Sequence, residues 1–284
     1  MGYIEIIKAA LKEDVGTGDI TTNAIVARDK IAKAVIRAKE AGVIAGIDIA
    51  REVFRQIDCR IKFIPKCRDG QLVKAGTILA ELSGPARGIL TGERVALNFL
   101  QHLSGVSTLT AKFVAKVQGP LSMVKVLDTR KTIPGLRSLE KYAVKCGGGT
   151  NHRMGLYDAV LIKDNHIALA GGVKEAIEAV EGQGKARKGK GRWRGLRAEI
   201  EAKTIGEVKE AIEVGAGRIL LDNMEIKTLR QAVKLCKEAG IKTEASGGVN
   251  LKTVAKIAAT GVDFISIGEL THSSKALDIN LKLV

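Results

Sequence analysis

Aromatic side chains make up only 3% of this 284-residue chain. So few of them argue against a surface that stacks nucleobases, and nucleic acid is not the expected partner. No apolar run comes near the ~18 residues that a bilayer-spanning helix needs, so no membrane partner is expected. The opening MGYIEIIKAALKEDVG has no cationic start leading into an apolar stretch. It reads as an amphipathic helix and not as a signal peptide. The four cysteines, Cys59, Cys67, Cys146 and Cys236, make no CxxC pair and no regular framework. Free thiols in a reducing compartment are expected, and with them a cytoplasmic location. Acids are also in short supply: 31 Asp and Glu face 46 Lys and Arg, a net charge of +15. Such a field draws polyanions, among them phosphorylated small molecules.

Where the cations sit is more telling than their number. Lys185–Arg197 (KARKGKGRWRGLR) carries seven Lys or Arg and no acid, nearly half the excess. It reads as a mobile surface loop outside the chemistry; the alternative, which Trp193 keeps open, is a nucleic-acid or partner contact. A second concentration, DTRKTIPGLR at 128–137, follows directly on the apolar MVKVL. Cations at the end of a buried strand suit an anion better than they suit a solvated face.

The first third has the rhythm of a mixed α/β unit. Residues 3–13 are spaced as a helix, 31–38 (IAKAVIRA) alternate as a half-buried strand, and 43–47 read as another. DGQLVKAGTILAELSGPAR is punctuated by Gly and Pro like a small sheet, and two helices are expected around 86–103 and 105–118. From residue 122 short apolar runs recur, each ending in a polar or charged residue: SMVKVLD, DAVLIKD, LRAEIEA, RILLDN, IKTEASGG and DFISIGE. The steps from Glu201 to Asp222, Ser246 and Gly268 are 21, 24 and 22 residues, the period of a βα unit. The expected fold is an incomplete parallel β/α barrel with an N-terminal mixed α/β, sandwich-like domain. The N-terminal domain is placed at 1–108, with a return of 270–284 as a strand, and the barrel at 109–269.

In such barrels the chemistry lies at the C-terminal ends of the strands. The first end is Asp128-Thr129-Arg130-Lys131 and the second Lys163-Asp164-Asn165-His166. Glu201 and Asp222 end the next two, Ser246-Gly247-Gly248 the fifth and Gly268-Glu269 the last. Glycines before a helix near Asn250, and the turn at 268 followed by His272, Ser273 and Ser274, suit a phosphate cup. The plain alternative is a pair of ordinary βα loops. Glu201 and Asp222 can hold sugar hydroxyls, bind Mg²⁺ through water or steady a cationic transition state. They can also be ion-pair partners of Lys131 or Lys163. Arg130, Lys131, Arg153 and Lys163, with His152, suit a planar ligand with more than one carboxylate. As metal ligands His152 and His166 have no partner at a standard spacing.

DTRKTIPGLRSLEKYAVKCGGGTNHRMGLYDAVLIKDNH resembles the signature of the quinolinate phosphoribosyltransferase family. EDVGTGDIT, LTGERVALNFLQHLSG, EIE, LLDNM, ASGGVN and ISIGELTHS match in the same order along nearly the whole chain. The resemblance implies transfer of phosphoribosyl from phosphoribosyl pyrophosphate to quinolinate with decarboxylation. The products are nicotinate mononucleotide, pyrophosphate and CO2, in NAD biosynthesis. It implies Mg²⁺, carried by the pyrophosphate and reaching Glu201 and Asp222 through water. It also implies catalytic roles for Lys131, Glu201 and Asp222, and quinolinate contacts from Arg94, Thr129, Arg130, His152, Arg153 and Lys163. Phosphoribosyl pyrophosphate falls to Lys163, Glu201, Asp222, Ser246, Gly247, Gly248, Gly268 and His272. The family is usually dimeric, with Arg94 reaching the neighbouring subunit's site; assembly beyond a dimer stays open.

Overall fold

The computed structural model describes residues 2–118, 123–186 and 198–284. Residues 187–197 of the basic segment, Trp193 among them, lie outside the described residues. The chain divides into two compact units. The first gathers Met1–Ala111, Lys131–Gly149 and Leu270–Val284; the second holds Lys112–Arg130 and Thr150–Glu269.

The first unit opens with α1 (Tyr3–Val15) and α2 (Ile20–Ile25), followed by β1 (Ile31–Ala38) and β2 (Gly42–Val43). Then come α3 (Ile47–Ile57), β3 (Lys62–Pro65), β4 (Leu72–Val73), β5 (Ile78–Pro85) and α4 (Ala86–Val117), whose residues from Lys112 on count with the second unit. Its later segments add α5 (Arg137–Cys146) and the C-terminal β12 (Ile279–Leu283). A four-stranded antiparallel sheet runs β12-β1-β5-β3. The tail therefore does return as a strand, pairing Leu281 with Ile36. Ile36, Ala38, Leu79 and Phe54 are wholly buried and form part of the core.

Three local expectations change. The strand expected at 43–47 is only Gly42–Val43, and a helix starts at Ile47. Gly46 has no side chain to cap that helix; Asp69 accepts the Gly46 and Ile47 N–H groups instead, at 2.9 and 3.0 Å. A cap supplied from 22 residues downstream leaves no local sequence signal. The two helices expected around 86–103 and 105–118 are the single α4. Gly105 is tolerated inside it because the Lys275 carbonyl passes where a Cβ would stand, so the glycine marks a close approach and not a break. The glycines of Cys146-Gly-Gly-Gly-Thr serve packing in the same way. A Cβ on Gly147 or Gly149 would strike Ser107 or Thr110 of α4.

The second unit is built on β6 (Lys125–Leu127), β7 (Leu161–Ile162), β8 (Glu199–Ala202), β9 (Arg218–Asp222), β10 (Lys242–Ser246) and β11 (Phe264–Ser266). All six runs read from the sequence are strands, and their order is β6-β11-β10-β9-β8-β7. Every pairing in this sheet is parallel. α6 (Asp164–Ala170), α7 (Val173–Ala186), α8 (Ile205–Glu213), α9 (Ile226–Glu238) and α10 (Val254–Ala258) alternate with the strands, and α11 (Glu269–His272) follows the last. Thr150 adds a parallel bridge beside Leu127, beyond the edge strand β6. The sheet is a parallel barrel left short of closure, the incomplete barrel expected.

Candidate active site

Period-2 alternation decides which side chains of the strands share a face. Glu199 and Glu201 share one on β8, as do Arg218 and Asp222 on β9, Glu244 and Ser246 on β10, and Phe264 and Ser266 on β11. Contacts between these side chains make this face the interior of the sheet. It carries two polar layers, one at the strand ends and one a step deeper.

At the strand ends Glu201 is 5% exposed. Its Oε2 accepts from Lys163 Nζ at 3.1 Å, and Lys203 Nζ lies 3.8 Å from Oε1. Of the two lysines proposed as its ion-pair partner, Lys163 is paired with it. Lys203 also donates to Asp164 Oδ2 at 2.7 Å, and its ammonium is raised by Asp164, by Glu201 and by Asp222. Lys203 was absent from the sequence reading, although it stands one residue past the end of β8. Asp222 Oδ2 accepts from Asn223 Nδ2 at 2.9 Å, while the Asn223 N–H donates to the Ser246 carbonyl at 2.8 Å. Asn223 has φ +53°, and the Asn223 side chain fills the space a Cβ on Gly247 would need. Gly247 and Gly248 follow with φ +90° and +60°, a left-handed pair open to glycine at little cost.

The helix expected near Asn250 begins only at Val254. Asn250 Oδ1 accepts from the Lys252 and Thr253 N–H groups, closing an Asx turn in place of a first helical turn. The Ser246-Gly247-Gly248 turn thus presents backbone and no long-helix N-terminus. Gly268 precedes the four-residue α11, which ends at the exposed His272.

Arg130 is exposed after β6, and Arg153 is half-buried, donating to the Ala159 carbonyl at 3.1 Å. Burial and then the Arg130 charge lower the Arg153 guanidinium. Two cations close enough to oppose each other are relieved by an anion between them. Thr129 is half-buried between Asp128 and Arg130. In the first unit, Lys131 and Arg94 are both exposed, Arg94 on α4.

The deeper layer escaped the sequence reading. His152 Nε2 lies 3.2 Å from Glu199 Oε2 and 3.5 Å from Glu244 Oε1. Arg218 donates to Glu244 Oε2 at 3.0 Å and stands 4.2 Å over the Phe264 ring. Ser266 donates to Glu244 as well. Burial pushes the Glu199 carboxyl up; at Glu244 it is outweighed by His152 and Ser266, which hold that carboxyl low. Burial also opposes charge on His152, but the two carboxylates lift it to about 9. The Arg153 N–H, 2.7 Å from Nδ1, opposes a second ring proton, so the Nε2 proton is the one the geometry fixes. The His152 N–H in turn donates to the buried Asp128, at 2.9 Å. Sequence spacing gave His152 no ligand partner, yet the fold brings it two carboxylates within metal-binding reach. Arg218 already supplies the compensating positive charge there, so the cluster has no need of an ion. The signal was available: E-I-E, R-I-L-L-D and E-A-S each carry a charge two or four places before the strand-end residue.

Residues 106–282 match the family pattern described as "Quinolinate phosphoribosyl transferase, C-terminal domain", and 19–104 match its N-terminal domain. A probable nicotinate-nucleotide pyrophosphorylase [carboxylating] of Bacillus subtilis is 45% identical over 95% of this chain and 89% of its own. A chloroplastic enzyme of that name from Arabidopsis thaliana is 44% identical over 98% and 82%. The crystal structure of NadC from Streptococcus pyogenes superposes with a TM-score of 0.90 at 41% identity, over 99% of this chain and 95% of that one.

Proposed function

The chain belongs to the quinolinate phosphoribosyltransferase family and transfers phosphoribosyl to quinolinate with decarboxylation in NAD biosynthesis; we propose that the strand-end layer carries this chemistry. The observation behind the proposal is one of charge. Buried Glu201 and half-buried Asp222 end neighbouring strands, and the mutually repelling Arg130 and Arg153 belong to the same unit.

Departure of pyrophosphate leaves positive charge on the ribose ring. Glu201 and Asp222 stabilise that charge and hold the ring hydroxyls, with their orientation already set by Lys163 and Asn223. The pyridine nitrogen attacks the anomeric carbon as the bond to pyrophosphate breaks. The resulting ring cation accepts the electron pair released when the neighbouring carboxylate leaves as CO2, and a proton then takes its place on carbon. Arg130 and Arg153 grip the quinolinate carboxylates, helped by Thr129 and Lys163. His152 serves that grip from beneath, with its ring anchored on Glu199 and Glu244. Lys131 acts at the reacting centre. Ser246, Gly247, Gly248, Gly268 and His272 hold the 5′-phosphate.

Mg²⁺, when bound, offsets the charge of the pyrophosphate. The carboxylate oxygens of Glu201 and Asp222 are the donor type that it prefers. Lys163 and Lys203 already stand beside Glu201, so the ion would meet this pair through its water shell. The working assembly is a cytoplasmic homodimer in which Arg94 reaches the partner's site. Its exposure on α4 supports that reading.

Purified protein given carboxyl-labelled quinolinate, phosphoribosyl pyrophosphate and Mg²⁺ is expected to release labelled CO2 and form nicotinate mononucleotide. Turnover with nicotinate and none with quinolinate would overturn the assignment. Gly247→Ala places a Cβ on Asn223 and forces an L-residue into a left-handed conformation, at about 1–2 kcal/mol. Its KM for phosphoribosyl pyrophosphate should rise about tenfold or more, with KM for quinolinate much less affected. Equal rises in the two would count against the phosphate role.

A further inference from the structure

Lys131 is followed by two residues that, like it, are tied down by a side chain from elsewhere. The Lys131 carbonyl accepts a hydrogen bond from Thr271 Oγ1 at 2.7 Å. Thr132 Oγ1 accepts from Arg137 Nε at 3.0 Å. The Ile133 N–H donates to Glu140 Oε2 at 3.1 Å. The Pro134-Gly135 turn then closes, with Gly135 at φ +84° and the Leu136 N–H on the Ile133 carbonyl at 3.0 Å.

These anchors are costly groups to place where they are. Glu140 is fully buried, and a buried carboxylate needs partners to offset its lost hydration. It has the Ile133 N–H on one oxygen and His102 Nε2 of α4 at 2.9 Å on the other. Thr271 is 1% exposed, so its hydroxyl must also find an acceptor inside the protein. Both groups direct that requirement at the backbone around one exposed lysine. Arg137, the last residue of the DTRKTIPGLR motif, has its guanidinium turned back onto Thr132 of the same motif.

We propose that Thr271, Glu140 and Arg137 are positioning residues for Lys131, fixing the backbone from which its ammonium reaches. The inference rests on the reading that Lys131 acts at the reacting centre. A lysine has four rotatable bonds beyond its Cα; fixing the Cα and the local backbone direction narrows the volume its Nζ samples. Displacement of a group at the chemistry by about 1 Å can cost about 100-fold in rate, so loosening this loop acts on turnover and not on substrate affinity.

The test is a double-mutant cycle on kcat, with thermal unfolding followed for every variant. Thr271→Val is expected to lower kcat about 10–100-fold, leaving KM for both substrates within about twofold. Thr271→Ser, which keeps the hydroxyl, is expected to restore most of it. In a Lys131→Ala background, Thr271→Val is expected to change kcat less than about twofold, because the group it positions is gone. Arg137→Met runs through the same cycle and keeps the test intact if the valine variant fails to fold. An equal further loss on top of an already impaired Lys131→Ala would overturn the positioning role alone. Wild-type turnover in Lys131→Ala would remove the role of the lysine and the inference together.

Discussion

Glu201→Gln is expected to reduce turnover by about 10²–10³-fold while moving the unfolding midpoint by only a few degrees. The substitution keeps the size and shape of the side chain, so the packing around a residue 5% exposed is preserved. It removes the charge that a ribose cation needs at the moment pyrophosphate leaves. The structural partner of Glu201 does not pay heavily for its loss. The Lys163 side chain is 49% exposed and can turn its ammonium to water once the carboxylate is neutral. Steady-state CO2 release and calorimetry on the same preparation check both halves. Activity within fivefold of wild type, or a midpoint falling in parallel with activity, would make Glu201 a structural residue.

Glu244→Ala is expected to behave in the opposite way. This carboxylate is fully buried among Arg218, His152 and Ser266, and its removal takes an acceptor from all three, with Glu199 left as the carboxylate facing His152 and Arg218. Breaking a buried pair from one side costs about 3–5 kcal/mol, a fall in midpoint on the order of 10 °C for a chain of this size. Arg218→Met in the same chain should recover part of the loss, because the orphaned cation goes with it and a similar apolar volume replaces it. A single variant that melts within two degrees of wild type would mean that the pairing described for this layer contributes nothing. The two glutamates share the interior face of one sheet, on strands separated by β9, yet one change should strike rate and the other stability. The difference lies in the partners: buried Glu201 pairs near a strand end with Lys163, whose side chain reaches solvent, whereas Glu244 is enclosed by Arg218, His152 and Ser266.

Much of this was legible in the sequence, and the limits have physical causes. Each of the six strands of the second unit could be read because an apolar run stops at a polar residue, and the parallel barrel places those residues at one end. The continuity of α4 was hidden because a glycine inside a helix, as at Gly105, and a glycine ending one look alike until the opposing Lys275 carbonyl is known. The start of α3 was hidden because its cap, Asp69, is remote in sequence. The deeper ionic layer was hidden because Glu199, Arg218, Glu244 and His152 are neighbours only once four separate segments lie side by side. Lys203 was passed over for a simpler reason: a lone lysine before a helix has many possible partners, and its pairing with Asp164 and Glu201 appears only when β7 and β8 are adjacent.

The sheet of the first unit carries β12 against β1, so its edge is covered by a segment translated after the whole of the second unit. A ribosome that has released residues up to 269 has delivered every strand of the parallel sheet, but still lacks β12, the second antiparallel partner of Ala34–Ala38 beside β5. The half of the protein that begins the chain is therefore the half that must wait. During synthesis β1 carries an uncovered edge for most of the message, and a nascent chain stalled before Ile279 exposes it to any other chain able to add a strand.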